Sequence, residues 1–151
     1  MIFIPEEEYP RIQAVLPILC VDCLIIHENK CLLLRRTKEP AQGQYWFPGG
    51  RVLKNELIRD AATRKARDEV NLDCKYERTI SIEETIFAQH GNMLFDIHTV
   101  NICCQLSVHN LDNLTIDESH DGYIWASIEQ AKMLNLHKAV FSPIVKCFEQ
   151  V

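Results

Sequence analysis

A chain of 151 residues has the length of one ordinary domain and can bury a core without disulfides or a structural metal. Its 47% hydrophobic and 25% charged content is that of a globular protein, and a formal net charge of −5 argues against nucleic acid as a partner. A nucleotide-sized anion stays open, because a few arginines and bound cations reverse the field inside one pocket. Seven cysteines make an odd count scattered through apolar stretches, with Cys103 and Cys104 adjacent, which favours reduced core thiols in a cytoplasmic protein over a disulfide framework or a zinc site. Acids stand at Glu6 to Glu8 where a signal peptide has positive charge, and the longest apolar stretch, Val15 to Ile26, is broken by Pro17 and Asp22. Neither secretion nor membrane spanning is expected.

In chain order, Ala14 to Ile26 is rich in Val, Ile and Leu and reads as a buried strand, with His27 to Lys30 as a turn and Cys31 to Arg35 as the return strand of a hairpin. A loop with Gly and Pro runs from Thr37 to Lys54. Asn55 is the expected cap of a helix beginning at Glu56, whose buried stripe is Ile58, Ala62, Ala66 and Val70. Asn71 tolerates the left-handed conformation and closes that helix. Lys75 to Ala88 and Asp96 to Val108 read as two strands joined by a turn at His90 to Asn92. An acidic loop from Asp112 to Gly122 then leads to a short strand at Tyr123 to Trp125 and helices at Ser127 to Leu134 and Ala139 to Glu149. With no repeat or linker, residues 1–151 form a single α/β domain with a mixed sheet covered by helices.

Two adjoining segments carry chemistry. Pro40 to Gly49, P-A-Q-G-Q-Y-W-F-P-G, combines small residues and aromatics in a close-packed turn that brings backbone carbonyls together. Gly50 to Leu72 follows, G-R-V-L-K-N-E-L-I-R-D-A-A-T-R-K-A-R-D-E-V-N-L. On its helix, residues 65 and 69 share one side and 64 and 68 the adjacent one. Taken alone, Arg64 with Asp68 and Lys65 with Glu69 read equally well as surface ion pairs worth ~0.3–0.5 kcal/mol each or as acids placed to hold a divalent ion against a diphosphate. Loop and helix in register resemble the Nudix box, G-x5-E-x7-R-E-U-x-E-E-x-G-U with U apolar. Gly50, Glu56, Arg64, Glu69 and Leu72 match outright, Ala66 fits the apolar slot weakly, Asp68 is a conservative change, and Lys65 and Asn71 depart.

The resemblance implies a Nudix α/β/α sandwich with a mixed β-sheet. It also implies a divalent cation, Mg2+ or Mn2+, with Glu69 as direct ligand, the Gly49 carbonyl as a second, and Asp68 as a further or water-mediated ligand. Lys65 places a cation where the pattern has a carboxylate, so one ion rather than several is expected, since Mg2+ takes oxygen ligands.

Outside the box, R-T-K-E-P-A-Q-G-Q-Y-W-F-P-G-G-R-V (Arg36 to Val52), D-E-S-H-D-G-Y-I-W (Asp117 to Trp125) and the strand holding Asp22 are similar to one branch, the GDP-mannose mannosyl hydrolases. That likeness implies displacement of a whole nucleoside diphosphate from a sugar carbon, which needs a base for water and positive charge on the departing oxygens. It implies His120 as general base, Arg36 as the cation on the diphosphate, Asp22 at the sugar, and Arg51 as a second phosphate contact. His90 falls to the sugar, Tyr9 and Phe3 to the base, and the protein is expected to be a homodimer. Bland readings stand beside these: His120 as a solvated loop residue among acids, Arg36 as a strand end, His90 as a solvated turn, and Tyr9 and Phe3 packed on the core or on another subunit. Asp22 is sharper, because a carboxylate within V-D-C-L-I-I is costly to bury unpaired and must face solvent, a partner or a ligand. Ser119 stands where the branch has a Gln metal ligand; a water in that position, a weaker ion site or a different substrate each accommodate it. Two other functions remain: a Nudix pyrophosphohydrolase acting at phosphorus, and a catalytically weak nucleotide-sugar-binding module.

Overall fold

A computed structural model describes residues 3–150. The first hairpin joins β1 (Ile18–His27) to β2 (Lys30–Arg36) through Glu28 and Asn29, both left-handed at φ 49° and 59°. Two successive left-handed residues match the twist of the flanking strands. The strands pair only at Ile26 with Cys31 and His27 with Lys30, then part. Into the gap goes the segment holding β3 (Tyr45–Trp46) and β4 (Gly49–Arg51): β3 pairs with β2 at Leu34 and Arg35, and β4 with β1 at Cys20, Val21 and Asp22. The Cys23 amide donates to the Pro48 carbonyl at 2.7 Å and the Val52 amide to that of Leu19 at 3.0 Å, so the wedge is stitched along its length.

Helix α2 (Ile58–Val70) follows, then the long antiparallel strands β5 (Lys75–Phe87) and β6 (Ile97–Ser107), and β7 (His120–Ala126) on the free side of β2. β6 lies parallel to β1 from Ile18 opposite Thr99 to Ile26 opposite Ser107, which makes the sheet mixed. The central strand β1 is apolar on both faces because both are covered. Val21, Cys23 and Ile25 pack with Leu32 and Leu34 under Ala61, Ala62, Ala66 and Val70 of α2. Leu24, Leu33 and Cys103 pack on the other face against α3 (Ile128–Met133) and α4 (Lys138–Glu149) through Ala131, Val140 and Ile144. The expected α/β/α sandwich is therefore the fold.

The alanines let α2 approach closely enough for the Cys23 thiol to donate to the Ala62 carbonyl at 3.2 Å. All seven cysteines are free. No described helix is long and apolar enough to cross a membrane.

Local differences from the sequence reading have physical causes. The first strand starts at Ile18 rather than Ala14, because Pro10 opens a short helix, α1 (Tyr9–Gln13), whose last turn takes Ala14 to Leu16. Asn55 is not a helix cap: it is left-handed at φ 66°, Leu57 holds the cap position without a side-chain bond, and the helix begins at Ile58. Glu56 is instead held back by the Leu53 amide and by Arg64 at 2.6 Å. Asn71 does close the helix left-handed, at φ 54°. β7 begins at His120, earlier than Tyr123, because its ladder with β2 reaches Arg36 opposite His120.

Candidate active site

Where β1 and β2 part, the wedge leaves a cleft lined by Asp22, Arg36, Gly49, Gly50, Glu69 and Asn101, with Trp46 and Phe87 among its apolar walls. Of the residues singled out in the sequence, Asp22, Arg36, Gly49 and Glu69 meet here.

Asp22 is 3% exposed, opposite Gly49 in the β1–β4 ladder. Burial pushes its carboxyl up to about 7; hydrogen bonds from Asn101 and Trp46 and the Arg36 charge pull it down, and the Glu69 charge adds to the rise. Its Oδ2 is buried with no hydrogen-bond partner among the described residues. Such an orphan in a cleft wall marks a place for a ligand atom. Behind it runs a polar ladder. The Thr99 hydroxyl donates to Asn101 Oδ1 at 2.6 Å, so Thr85, 2.5 Å from Thr99, must donate to it, and the Asn101 amide NH2 is left to face Asp22.

Glu69 is the box carboxylate that reaches the cleft. Its Oε2 accepts the Gly49 amide at 3.0 Å and its Oε1 lies 3.1 Å from the Lys65 ammonium. Burial raises its pKa, with Lys65 and the Gly49 amide opposing. Asp68 points elsewhere: it is half exposed and sits 3.3 Å from Arg64. Arg64 in turn clamps Glu56 and the Arg51 carbonyl, tying the loop after β4 to α2. Arg36 donates through Nε to the Pro40 carbonyl at 2.7 Å, which leaves its terminal nitrogens for anionic oxygens. Burial lowers its pKa while Glu69, Asp22, Glu39 and Asp117 hold it up, and a guanidinium stays charged.

His120 is buried at 7% exposure, beside the cleft rather than in its wall, and its Nδ1 lies 2.6 Å from Asp117 Oδ1. A solvated loop histidine is therefore not what the structure holds. An ionised carboxylate only accepts, so Nδ1 carries the proton and a neutral ring keeps its lone pair on Nε2. Ser119, half-buried, accepts the Thr37 amide through its carbonyl.

The remaining sequence candidates lie outside the cleft. Arg51 stacks over Tyr9, 5.7 Å from the ring centroid, in a shallow groove on the surface. Phe3 is 68% exposed. His90 lines a neighbouring cavity with His137 and Met93, which shares Pro40, Ala41 and Phe87 with the cleft. The sequence reading missed Asn101, Thr99 and Trp46 as lining residues and Asp117 as the partner of His120. A polar Asn inside V-N-I-C-C was the one available signal for Asn101.

The oxygens on the cleft floor, the Glu69 carboxylate and the Gly49 backbone carbonyl, suit one hard divalent cation. Asp68 faces Arg64 and Lys65 has no lone pair to give, so neither adds an oxygen ligand to that floor.

The chain belongs to the Nudix hydrolase family: the family model for the NUDIX domain matches residues 16–145. It is 34% identical over 118 residues to the low-salt glycan biosynthesis protein Agl8 of Haloferax volcanii, covering 78% of this chain and 75% of that protein. It is 32% identical over 66 residues to the ADP-ribose pyrophosphatase of Methanocaldococcus jannaschii, covering 44% of this chain and 39% of that protein. Among solved structures, a MutT NUDIX hydrolase from Burkholderia pseudomallei matches with a TM-score of 0.73 at 19% identity, over 87% of this chain and 98% of that one. The MutT protein from Methanosarcina mazei matches with a TM-score of 0.70 at 21% identity, over 88% and 94%. These structural likenesses show the fold.

The raised carboxyl of Asp22 has a consequence for stability. Its folded value of about 7 lies above the ordinary 3.8, so the folded state binds the proton more tightly. The contribution to stability is complete below 3.8 and is lost as pH rises through about 7. Thermal melts in chelator between pH 4 and 8 are expected to show a steeper fall of Tm for the wild type than for Asp22→Asn. Parallel curves would mean that Asp22 does not titrate in this window.

Proposed function

We propose that this protein hydrolyses a nucleoside diphosphate sugar, GDP-mannose or a related GDP-sugar, to GDP and free sugar by attack of water at the glycosyl carbon. The observation that carries this reading is the single box carboxylate in the cleft, Glu69, beside Arg36 and a buried Asp22 with a free oxygen. Such a site supplies little for phosphorus attack aided by several ions and much for the departure of a diphosphate from a carbon that becomes cationic. The likeness to Agl8, named as a glycan biosynthesis protein, supports a sugar-linked substrate.

Glu69 and the Gly49 carbonyl would hold one Mg2+ or Mn2+, with Ser119 contributing through water, while Asp68, turned to Arg64, stays outside the ion's reach. Bound there, the cation supplies positive charge to the leaving diphosphate. Arg36 adds its own charge through the nitrogens that Pro40 leaves free. His120, held by Asp117 through Nδ1, takes the proton of the attacking water on Nε2 as the water oxygen bonds to the anomeric carbon and the carbon–oxygen bond to the diphosphate breaks. Ionised Asp22 stabilises the cationic sugar. His90, one wall away, serves the sugar end, and Arg51, Tyr9 and Phe3 serve the nucleotide base or a second subunit of a homodimer. The free thiols fit a reducing cytoplasm.

The rival reading, cleavage at phosphorus, draws on the segment shared with the ADP-ribose pyrophosphatase. Hydrolysis in 18O-labelled water, with products of a nucleoside diphosphate sugar panel analysed by mass spectrometry, separates the two. Label is expected in the sugar; label in phosphate alone would overturn carbon attack, and binding without turnover would overturn catalysis. His120→Ala is expected to lower kcat by roughly 10²–10⁴-fold with ligand affinity nearly unchanged, as for the loss of a general base. Undiminished kcat would remove His120 from that role.

A further inference from the structure

Lys65 is not a loose surface residue. Its side chain is 19% exposed and that of Glu69 11%, and the ammonium stands 3.1 Å from Glu69 Oε1. The stem lies against the glycine turn: a Cβ on Gly50 would fall 2.7 Å from Lys65 Cε and 3.1 Å from Nζ, so a side chain there would push the end of the lysine aside. Gly50 carries this contact in an unusual backbone conformation, φ 157°. With the Gly49 amide on Oε2 and Lys65 on Oε1, both oxygens of the one box carboxylate in the cleft are already engaged.

We infer that Lys65 is an internal competitor for the divalent ion at Glu69, a tethered cation that sets how weakly that ion is held. The inference rests on the reading of Glu69 as an ion ligand. The two bonds on Glu69 differ in what can yield. The Gly49 amide is fixed by the β4–β1 ladder. Lys65 hangs on four rotatable methylenes, and its strongly hydrated point charge makes no fixed fork with the carboxylate. An ion arriving at Glu69 therefore displaces the ammonium and not the amide, and its affinity is reduced by the strength of the pair it breaks. Displaced, the ammonium stays tethered beside Gly50 at the cleft floor, so the site loses no positive charge when the ion binds. Lys65 thus acts on ion selection and occupancy rather than on the scissile bond.

Mn2+ titration followed by electron paramagnetic resonance measures this without turnover. Lys65→Met is expected to bind Mn2+ about tenfold more tightly than the wild type, the scale set by removing a partly shielded cation about 3 Å from a ligand oxygen. Lys65→Gln, which keeps a polar side chain without the charge, is expected to follow it, and thermal melts confirm that each variant is folded. Equal or weaker binding by both folded variants, with Glu69→Gln still abolishing it, would overturn the competitor role while leaving Glu69 as the ligand. Unchanged Mn2+ binding in Glu69→Gln would overturn both.

Discussion

The approach of Gly49 to β1 leaves no room for a side chain, and the cleft depends on that contact. A Cβ at this position would lie 2.2 Å from the Val21 carbonyl oxygen and 3.0 Å from Asp22 Oδ1. Because only hydrogen stands there, β4 fits into the gap between β1 and β2, and its amide meets Glu69 on the helix beyond. One backbone position thereby joins a sheet residue, Asp22, to a helix residue, Glu69, across layers of the sandwich. Arg64 reinforces the join from the other side by clamping Glu56 and the Arg51 carbonyl.

The electrostatics follow from that geometry. Asp22 and Glu69 are buried close enough that the Glu69 charge raises the Asp22 carboxyl, and Lys65 and the Gly49 amide hold Glu69 in place. Burying such groups is costly unless they are paired, so an incompletely partnered Asp22 stores an unmet demand for a ligand. The ladder from Thr85 through Thr99 and Asn101 meets part of that demand and fixes which way the Asn101 amide faces. The cleft wall thus keeps two acids, Asp22 and Glu69, beside the guanidinium of Arg36 in low-dielectric surroundings, where each charge acts strongly on the others.

Much of this was legible in the chain. The hairpin announced itself through His27 to Lys30, Asn71 closed the helix as its chemistry allows, and the helical period put Lys65 with Glu69 and Arg64 with Asp68. The polar residue inside the apolar run of β1 required a partner or a pocket, and Asp22 lies in a pocket wall. What escaped was decided by distant pairing. Asn55 has the composition of a cap, but the Leu53 amide and Arg64 hold Glu56 and move the helix start to Ile58. Asn101 enters the cleft only because β6 runs parallel to β1, opposite Cys20. Arg51 leaves the cleft to stack over Tyr9, a contact set by the packing of α1 that its place in the chain does not announce.

The glycine contact builds the site, and the turnover of Gly49→Ala tests this most directly. With the variant shown to be folded by circular dichroism, hydrolysis of the best nucleoside diphosphate sugar is expected to fall by roughly 10²-fold, because displacing β4 by even an ångström moves the amide that holds Glu69 and the wall that holds Asp22. Turnover at the wild-type rate would contradict the claim that this contact builds the site.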